Sequence, residues 1–496
     1  MIQQLLQQIL DDTNTRQALS NLRKEIKDPY KKLELVGLIP AHIPAFILLL
    51  EATDAKTRKN AALLMGDLAN YDFLEALLAA YYKETQLFVR SAYLTALQAF
   101  DCSAYLDSLN AQLEKLTNTP LTAENQKHIA EEIRALSKLI IQEEGVTSHT
   151  FTGYNKNLEC ILLTNRNHKT LLEEELTELG ATIIPFAGGV RLLTQDLASI
   201  LPIRSYSELL FVVPGLTTVS TDPKEAARKI AASNLCLFLS NLHEEKTPFY
   251  FRIELKSKVD LEQKSAFNKK LASELERHTK RNLINTTSDY EVELRLIENT
   301  TGTYNVLIKL HTILDDRFSY RKEVLAASIS PVDAALFVSL AKEYMIKDAC
   351  ILDPFCGVGT MLIERQKIVK GNTSYGIDFY ASAIEKAKVN TAEAGQIIHY
   401  VNRNFFDFTH EYSFDEIFTN MPSVMGRTTQ EDIDLLYENF FEKAKEVLTP
   451  YGTIIMYSHD PSLVKSLCMF HNFDIKKEFL ILKKKNSWLF VISVKQ

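Results

Sequence analysis

Residues 353–360 read Asp353-Pro354-Phe355-Cys356-Gly357-Val358-Gly359-Thr360. The short apolar run Cys350, Ile351 and Leu352 before them has the length of a buried strand, and Met361-Leu362-Ile363-Glu364 opens a helical pattern. Strand, glycine loop and helix form the entry of a doubly wound α/β sheet, in which ligands sit outside the carboxyl ends of the strands. Glycines there let the backbone turn tightly and come close to a ligand.

Charge narrows the ligand. A dinucleotide fingerprint requires a third glycine where Leu362 stands, and it presents an anionic pyrophosphate to the helix N-terminus. Asp353 at the mouth of the loop repels a pyrophosphate and attracts a cation. S-adenosylmethionine carries a sulfonium and an amino group, and it suits this loop. Further on, Tyr375-Gly376-Ile377-Asp378 reads as a second strand ending in a carboxylate, placed to accept from two ribose hydroxyls. Asp353, Phe355, Gly357, Gly359, Thr360 and Asp378 are therefore the expected cofactor residues.

The rest of the chain bounds the answer. Its 496 residues, 46% hydrophobic and 24% charged, leave room for two to four domains. A net charge of −7 confines any nucleic-acid surface to a local patch. The cysteines Cys102, Cys160, Cys236, Cys350, Cys356 and Cys468 form no CxxC pair, which argues against zinc and against a disulfide framework, so no metal is expected and a reduced, cytoplasmic setting is. The start of the chain does not read as a signal peptide, and the longest uninterrupted apolar run, Ala45 to Leu50, is too short to span a bilayer, so no membrane association is expected.

Three regions follow from the patterning. Residues 1–145 hold almost no glycine and read as successive helices. The stretch from Thr57 to Gly66 is echoed from Phe88 to Leu97, with Ala61 matched by Ala92, a spacing suited to HEAT-like repeats that present a surface to a protein partner. A cluster including Gly145, Thr147, Ser148, Thr150 and Gly153 breaks that pattern. Residues 146–310 mix strands and helices, an α+β region. Within it Lys246, Arg252, Lys256, Lys258, Lys264, Lys269, Lys270, Arg277, Lys280 and Arg281 outnumber Glu254, Asp260, Glu262, Glu274 and Glu276. Such a run either is a solvated face or neutralises phosphates. Residues 311–496 continue the α/β alternation. A third strand, Ile397 to Val401, leads to Asn404 and Asp407, where a polar side chain could reach an adenine edge. A fourth, Asp415 to Phe418, delivers Thr419-Asn420-Met421-Pro422-Ser423. Thr449-Pro450-Tyr451-Gly452 reads as a turn, and an antiparallel hairpin closes the chain.

Tyr320-Arg321, Asp353 to Thr360, Gly376-Ile377-Asp378 and Thr419 to Pro422 together resemble the THUMP-domain class I methyltransferases that make N2-methylguanosine in tRNA or ribosomal RNA. The resemblance covers residues 150 to 496, most closely after 320. It implies a class I methyltransferase C-terminal domain, a THUMP-like RNA-binding middle region, structured RNA as partner, and S-adenosylmethionine as cofactor. It also implies that Asn420, Met421 and Pro422 serve the transfer, with Asn420 bordering the cofactor. Tyr320, Arg321, Ser423, Arg277, Lys280 and Arg281 are then candidate RNA contacts. Two positions depart from the family pattern. Asn404 replaces an aspartate that accepts from the adenine amino group, with Asp407 as a substitute, and Ser423 replaces an aromatic residue that stacks on the target base. An N6-adenine methyltransferase with a similar loop, and an RNA-binding protein whose methyltransferase fold has lost turnover, are the alternatives.

Overall fold

The structure, a computed structural model, describes residues 1–120, 122–145, 149–245, 248–426 and 428–495. Thr147 and Ser148 of the boundary cluster, and Lys246 of the basic run, lie outside the described residues. Packing divides the chain into two units that cut across chain order. One comprises Met1–His149, Ser220–Ala232 and Thr247–Glu291; the other comprises Thr150–Val219, Ser233–Lys246 and Val292–Gln496.

The first unit is mainly helical. Ala55–Leu68 packs on Leu87–Leu97, which packs on Gln126–Glu144. Small residues set the close approach: Ala61, Ala62, Ala92 and Ala96 are buried, and a Cβ on Gly66 would stand 2.5 Å from Ala96 Cα. The arginines of the repeated pattern each meet a buried carboxylate. Arg58 binds Glu84 through two nitrogens at 2.8 Å, and Arg90 reaches Glu132 at 2.8 Å, where the Tyr81 hydroxyl also donates. Burying a carboxylate is tolerated because each is paired and hydrogen-bonded. In the same unit Pro223–Ala231 packs on Leu261–His278, and Phe249–Lys256 pairs in parallel with Leu283–Asn285.

One helical run in this unit, Pro29–Glu51, is long and apolar enough to cross a membrane by length and composition. The expectation from uninterrupted apolar residues overlooked it, because Pro40, His42 and Pro44 break the run into α and 3-10 pieces. Leu35, Ile39, Phe46 and Leu50 from these pieces are buried in the core of the helical array.

The second unit contains two sheets. In the first, strands run in the order Thr182–Phe186, Gly189–Thr194, Leu158–Thr164, Tyr206–Phe211, Tyr304–Leu310 and Val292–Glu298, antiparallel throughout. The second carries the glycine loop, and its strands are numbered here as β1 Cys350–Asp353, β2 Thr373–Asp378, β3 His399–Asn402, β4 Phe414–Asn420, β5 Leu448–Ser458, β6 Phe473–Leu482 and β7 Ser487–Val494. The order is β3-β2-β1-β4-β5-β7-β6, with the first five strands parallel and β7 antiparallel to both neighbours. Helices α1 Thr360–Ile368, α2 Ala381–Glu393, α3 Gln430–Val447 and α4 Pro461–Phe470 connect the strands. Sequence reading missed α4. It also read a turn at Thr449 to Gly452, which the structure makes part of β5. Phe414 pairs with Leu448 and Glu416 with Thr453, so those residues are absorbed as an irregularity in the ladder. Arg365 on α1 is fully buried and bonds both oxygens of Glu416 on β4, at 2.7 and 2.8 Å, which fixes α1 on the sheet.

Candidate active site

The chain order of the strands reverses between β1 and β4, and the crevice of such a sheet opens there. Three strands deliver the predicted residues to that edge. Asp353 ends β1 opposite Gly376, Asp378 ends β2 opposite Asn402, and Asn420 ends β4 opposite Tyr457.

Asp353 is completely buried. Its Oδ1 accepts from the Thr419 hydroxyl at 2.7 Å and from the Phe355 amide at 3.1 Å, whereas Oδ2 has no hydrogen-bond partner. Burial, reinforced by the Asp378 charge and opposed by those two hydrogen bonds, pushes its carboxyl up to about 7. A buried, half-satisfied carboxylate is costly unless a cation or donor completes it. Asp378 braces the loop: Oδ2 accepts from the Gly357 amide at 3.0 Å and Oδ1 from the Tyr380 amide at 2.9 Å.

The two loop glycines have different duties. Gly357 lies at φ +54° and a Cβ there would meet nothing within 4 Å, so its free side faces open space. Gly359 lies at φ +83°, and a Cβ there would stand 2.3 Å from the Tyr400 hydroxyl oxygen. Thr360 begins α1 with its hydroxyl buried and without a partner. Phe355 packs on Phe405 with ring centroids 5.9 Å apart. The Cys356 thiol, buried beside Asp353 and Asp378, is raised well above its ordinary range, chiefly by burial, which leaves it unsuited to act as a nucleophile.

On the opposite lip, the Met421 amide donates to the Tyr457 carbonyl at 3.0 Å, holding the turn out of β4. Met421 is buried, Pro422 is half-buried and Ser423 is exposed. The Asn420 side chain has no hydrogen-bond partner among the described residues. Its backbone neighbour Thr419 is the residue that bonds Asp353, so the two lips are tied together. Asn402 did not stand out in the sequence, and Thr419 did so only as the first residue of the Asn420 motif, with no role of its own. Asn402 donates to the carbonyls of Asp378 and Phe379, at 3.0 and 2.9 Å, and so fixes the bend after β2. Asn390 on α2 donates to Val358 O at 3.1 Å and exchanges two bonds with the Glu323 backbone. Polar residues inside a helix or at a strand end carry no local motif, which is why pattern reading passes over them.

Several predicted residues are placed differently from expectation. Asn404 Oδ1 accepts from the Phe406 amide at 3.2 Å as the cap of a short turn, so the acceptor expected for an adenine edge is already shared; Asp407 is exposed in that turn. Tyr320 is only 2% exposed, and its hydroxyl donates to Glu364 at 2.7 Å, which removes it as a face for a base. Arg321 beside it has a buried Nε without a partner. Of the basic candidates, Lys280 is exposed, Arg277 is paired with Glu274, and the Arg281 side chain is largely buried beside Glu276. Arg281 is therefore corrected from a phosphate contact to an interior charge.

Residues 319–484 match the family model UPF0020, described as an RMKL-like methyltransferase domain. No curated protein matches the sequence. Among solved structures, TrmN from Thermus thermophilus is 18% identical, covers 68% of this chain and all of its own, and superposes with a TM-score of 0.50. The protein SMU.472, complexed with SAH, is 15% identical over 69% of this chain and 99% of its own, at 0.51. A predicted N6-adenine-specific DNA methylase from Listeria monocytogenes is 19% identical over 68% of this chain and 96% of its own, at 0.50. At such identities the likeness is one of fold. The C-terminal part of the chain, residues 319–484, carries a methyltransferase domain of the RMKL-like type.

Proposed function

We propose that this chain is an S-adenosylmethionine-dependent methyltransferase that acts on an exocyclic base amine in RNA, with guanine N2 as the target. The observation that carries the cofactor is the buried Asp353 with its unpartnered Oδ2, set beside the Gly357 loop and Asp378 at the adjoining ends of β1 and β2. That donor set fits a ligand with a cationic amino-acid end and a ribose. The SAH complex of SMU.472 and the fold shared with TrmN support the same reading.

When bound, the cofactor supplies a methyl group on a sulfonium, and the chain supplies position. Asp353 Oδ2 would receive the ligand's ammonium. Asp378 would accept from the ribose hydroxyls while keeping the Gly357 and Tyr380 amides. Asn420 Oδ1 and the Met421 carbonyl would accept the hydrogens of the target amine. Acceptance localises a lone pair that the ring otherwise withdraws, and Pro422 stiffens the loop that aims it. The base must be presented unstacked.

Around this core we assign residues 146–310 to a THUMP-like RNA-binding region and 1–145 to HEAT-like repeats that take a protein partner, in a cytoplasmic protein with its last border near 311. The test is methyl transfer from labelled cofactor to total RNA of a strain lacking the protein, followed by nucleoside analysis. N2-methylguanosine is expected. N6-methyladenosine redirects the target, and cofactor binding without any transfer overturns the enzymatic reading.

A further inference from the structure

The hairpin that closes the chain turns at the same edge of the sheet as the Asn420 loop. Strand β7 runs antiparallel to β5, with Ser458 opposite Trp488 and Tyr457 opposite Leu489. Tyr457 is in turn the residue opposite Asn420. The turn before Ser487 is Lys483-Lys484-Lys485-Asn486, a 3-10 turn closed by Asn486 in the left-handed region at φ 47°. The three lysines therefore stand beyond the carboxyl ends of β4 and β5, two strands away from Asn420.

Other contacts agree on that placement. His459, immediately after β5, is held below its ordinary range by burial first; a hydrogen bond to the Lys485 backbone opposes this, and the Lys485 charge adds to it. Asp333, in the first turn of Pro331–Ala341, is raised by burial and drawn back by the same Lys485 charge. Lys485 thus lies near the end of β5 and the first turn of Pro331–Ala341.

A fourth cation joins them from the antiparallel sheet of the same unit. The loop after Leu158–Thr164 seats on the end of β6. Asn165 Nδ2 donates to Ile481 O at 3.1 Å, Asn167 Nδ2 to Leu480 O and Ile481 O at 3.2 and 3.1 Å, and His168 Nε2 lies 2.8 Å from Leu480 O. Arg166 sits between these anchors and is itself exposed, as are Lys483, Lys484 and Lys485. None of the four makes an ion pair among the described residues. On a chain of net charge −7, four exposed cations that make no ion pair among the described residues gather at one edge, where they are available to an anionic partner.

We infer that Arg166, Lys483, Lys484 and Lys485 form a phosphate-binding rim on which the RNA backbone lies while its target base enters the crevice at Asn420. The inference rests on RNA as the substrate, and it identifies the surface next to the reaction that holds it. It draws on none of the residues of the basic run 252–281. Point charges on flexible stems suit a backbone of phosphates and read no sequence. The anchored Arg166 loop gives the rim a fixed register with the sheet.

The test compares the full chain with two triple variants, Lys483→Gln/Lys484→Gln/Lys485→Gln and Lys483→Arg/Lys484→Arg/Lys485→Arg, each also combined with Arg166→Gln. Binding of labelled bulk tRNA is titrated from 50 to 200 mM salt, and cofactor affinity is measured by calorimetry. The glutamine triple should bind tRNA at least tenfold more weakly, with a salt slope shallower by about 0.7–0.9 for each phosphate no longer neutralised. Adding Arg166→Gln should flatten it further, the arginine triple should bind as the original chain does, and cofactor affinity should stay unchanged in all. A glutamine triple that matches the original chain in tRNA affinity and salt slope overturns the rim, and if it still transfers methyl groups the proposed function survives. Rim-dependent tRNA binding with no methyl transfer to any RNA supports the rim and sinks the enzymatic reading instead.

Discussion

Thr419 gives its hydroxyl hydrogen to Asp353 Oδ1 at 2.7 Å, and the other carboxylate oxygen, Oδ2, is left buried without a donor. Residues from β1 and β4 thereby form one polar unit at the centre of the crevice. It is complete only when a cation or a proton occupies the second oxygen.

Asp353 therefore predicts a pH dependence. Its carboxyl titrates near 7 in the folded chain against an ordinary value of 3.8. Well below pH 3.8 both states are protonated and ionisation adds no cost. Between pH 4 and 7 the unfolded chain ionises first, so stability falls as pH rises, and above 7 the loss is complete. Asp353→Asn should raise the melting temperature above pH 7 and leave it unchanged near pH 4. A cationic ligand favours the ionised form, so S-adenosylmethionine should bind more tightly by up to about tenfold per pH unit between pH 5.5 and 7, then level off. Calorimetry across that range checks it; a flat dissociation constant contradicts it.

Glu364 on α1 has a comparable dependence on partners. It is fully buried and receives Arg204 through two nitrogens, at 2.6 to 3.0 Å, together with the Tyr320 hydroxyl. Arg204 also donates to Arg317 O at 2.7 Å and lies over the Phe318 ring. Arg204→Ala strands a buried carboxylate and should destabilise the chain by about 3 kcal/mol at neutral pH. The loss should be smaller at pH 5 than at neutral pH, because burial already raises the Glu364 carboxyl and so favours its neutral form as pH falls. Thermal unfolding at both pH values tests this, and an equal loss at the two would contradict it. Tyr320→Ala should likewise act on stability, through Glu364.

The loop glycines should separate by kind of failure. Gly359→Ala adds a left-handed strain of about 1–2 kcal/mol to a clash with the Tyr400 hydroxyl. It should lower the melting temperature, and Tyr400→Phe in the same chain should recover part of the loss. Gly357→Ala, at φ +54°, carries the same strain but meets no atom, so it should melt above Gly359→Ala and below the original chain, and bind cofactor at least tenfold more weakly. Equal melting temperatures for the two alanine variants would contradict this division.

The strand ends were legible because hydrophobic runs stop where polar residues must reach the crevice: Asp353, Asp378 and Asn420 each follow an apolar stretch. The parallel order of β1 to β5 followed from alternation with helices. What was hidden depends on residues far apart in sequence. The burial of Tyr320 requires Glu364, and the long reach of β5 needs β4 to absorb Thr449 to Gly452. Packing also gathers 220–232 and 247–291 with the helical region, a grouping to which linear order gives no clue.

The last prediction concerns Ser423. With Tyr320 buried, it cannot supply the stacking face that an exposed serine lacks. Stacking a base on an aromatic ring contributes about 1–3 kcal/mol. Val424 and Met425 beside Ser423 are more than half exposed, so a ring at 423 has room to lie along the surface. Ser423→Phe should therefore raise single-turnover methyl transfer to the identified RNA by about ten- to a hundredfold, at unchanged cofactor affinity. Asn420→Ala is the companion measurement. Its side chain bonds nothing among the described residues, so its removal should spare both the melting temperature and cofactor binding while abolishing transfer. An Asn420→Ala chain that still transfers methyl groups would remove the amine acceptor from the proposed reaction. A Ser423→Phe chain no faster than the original would show that the base is held elsewhere, away from this loop.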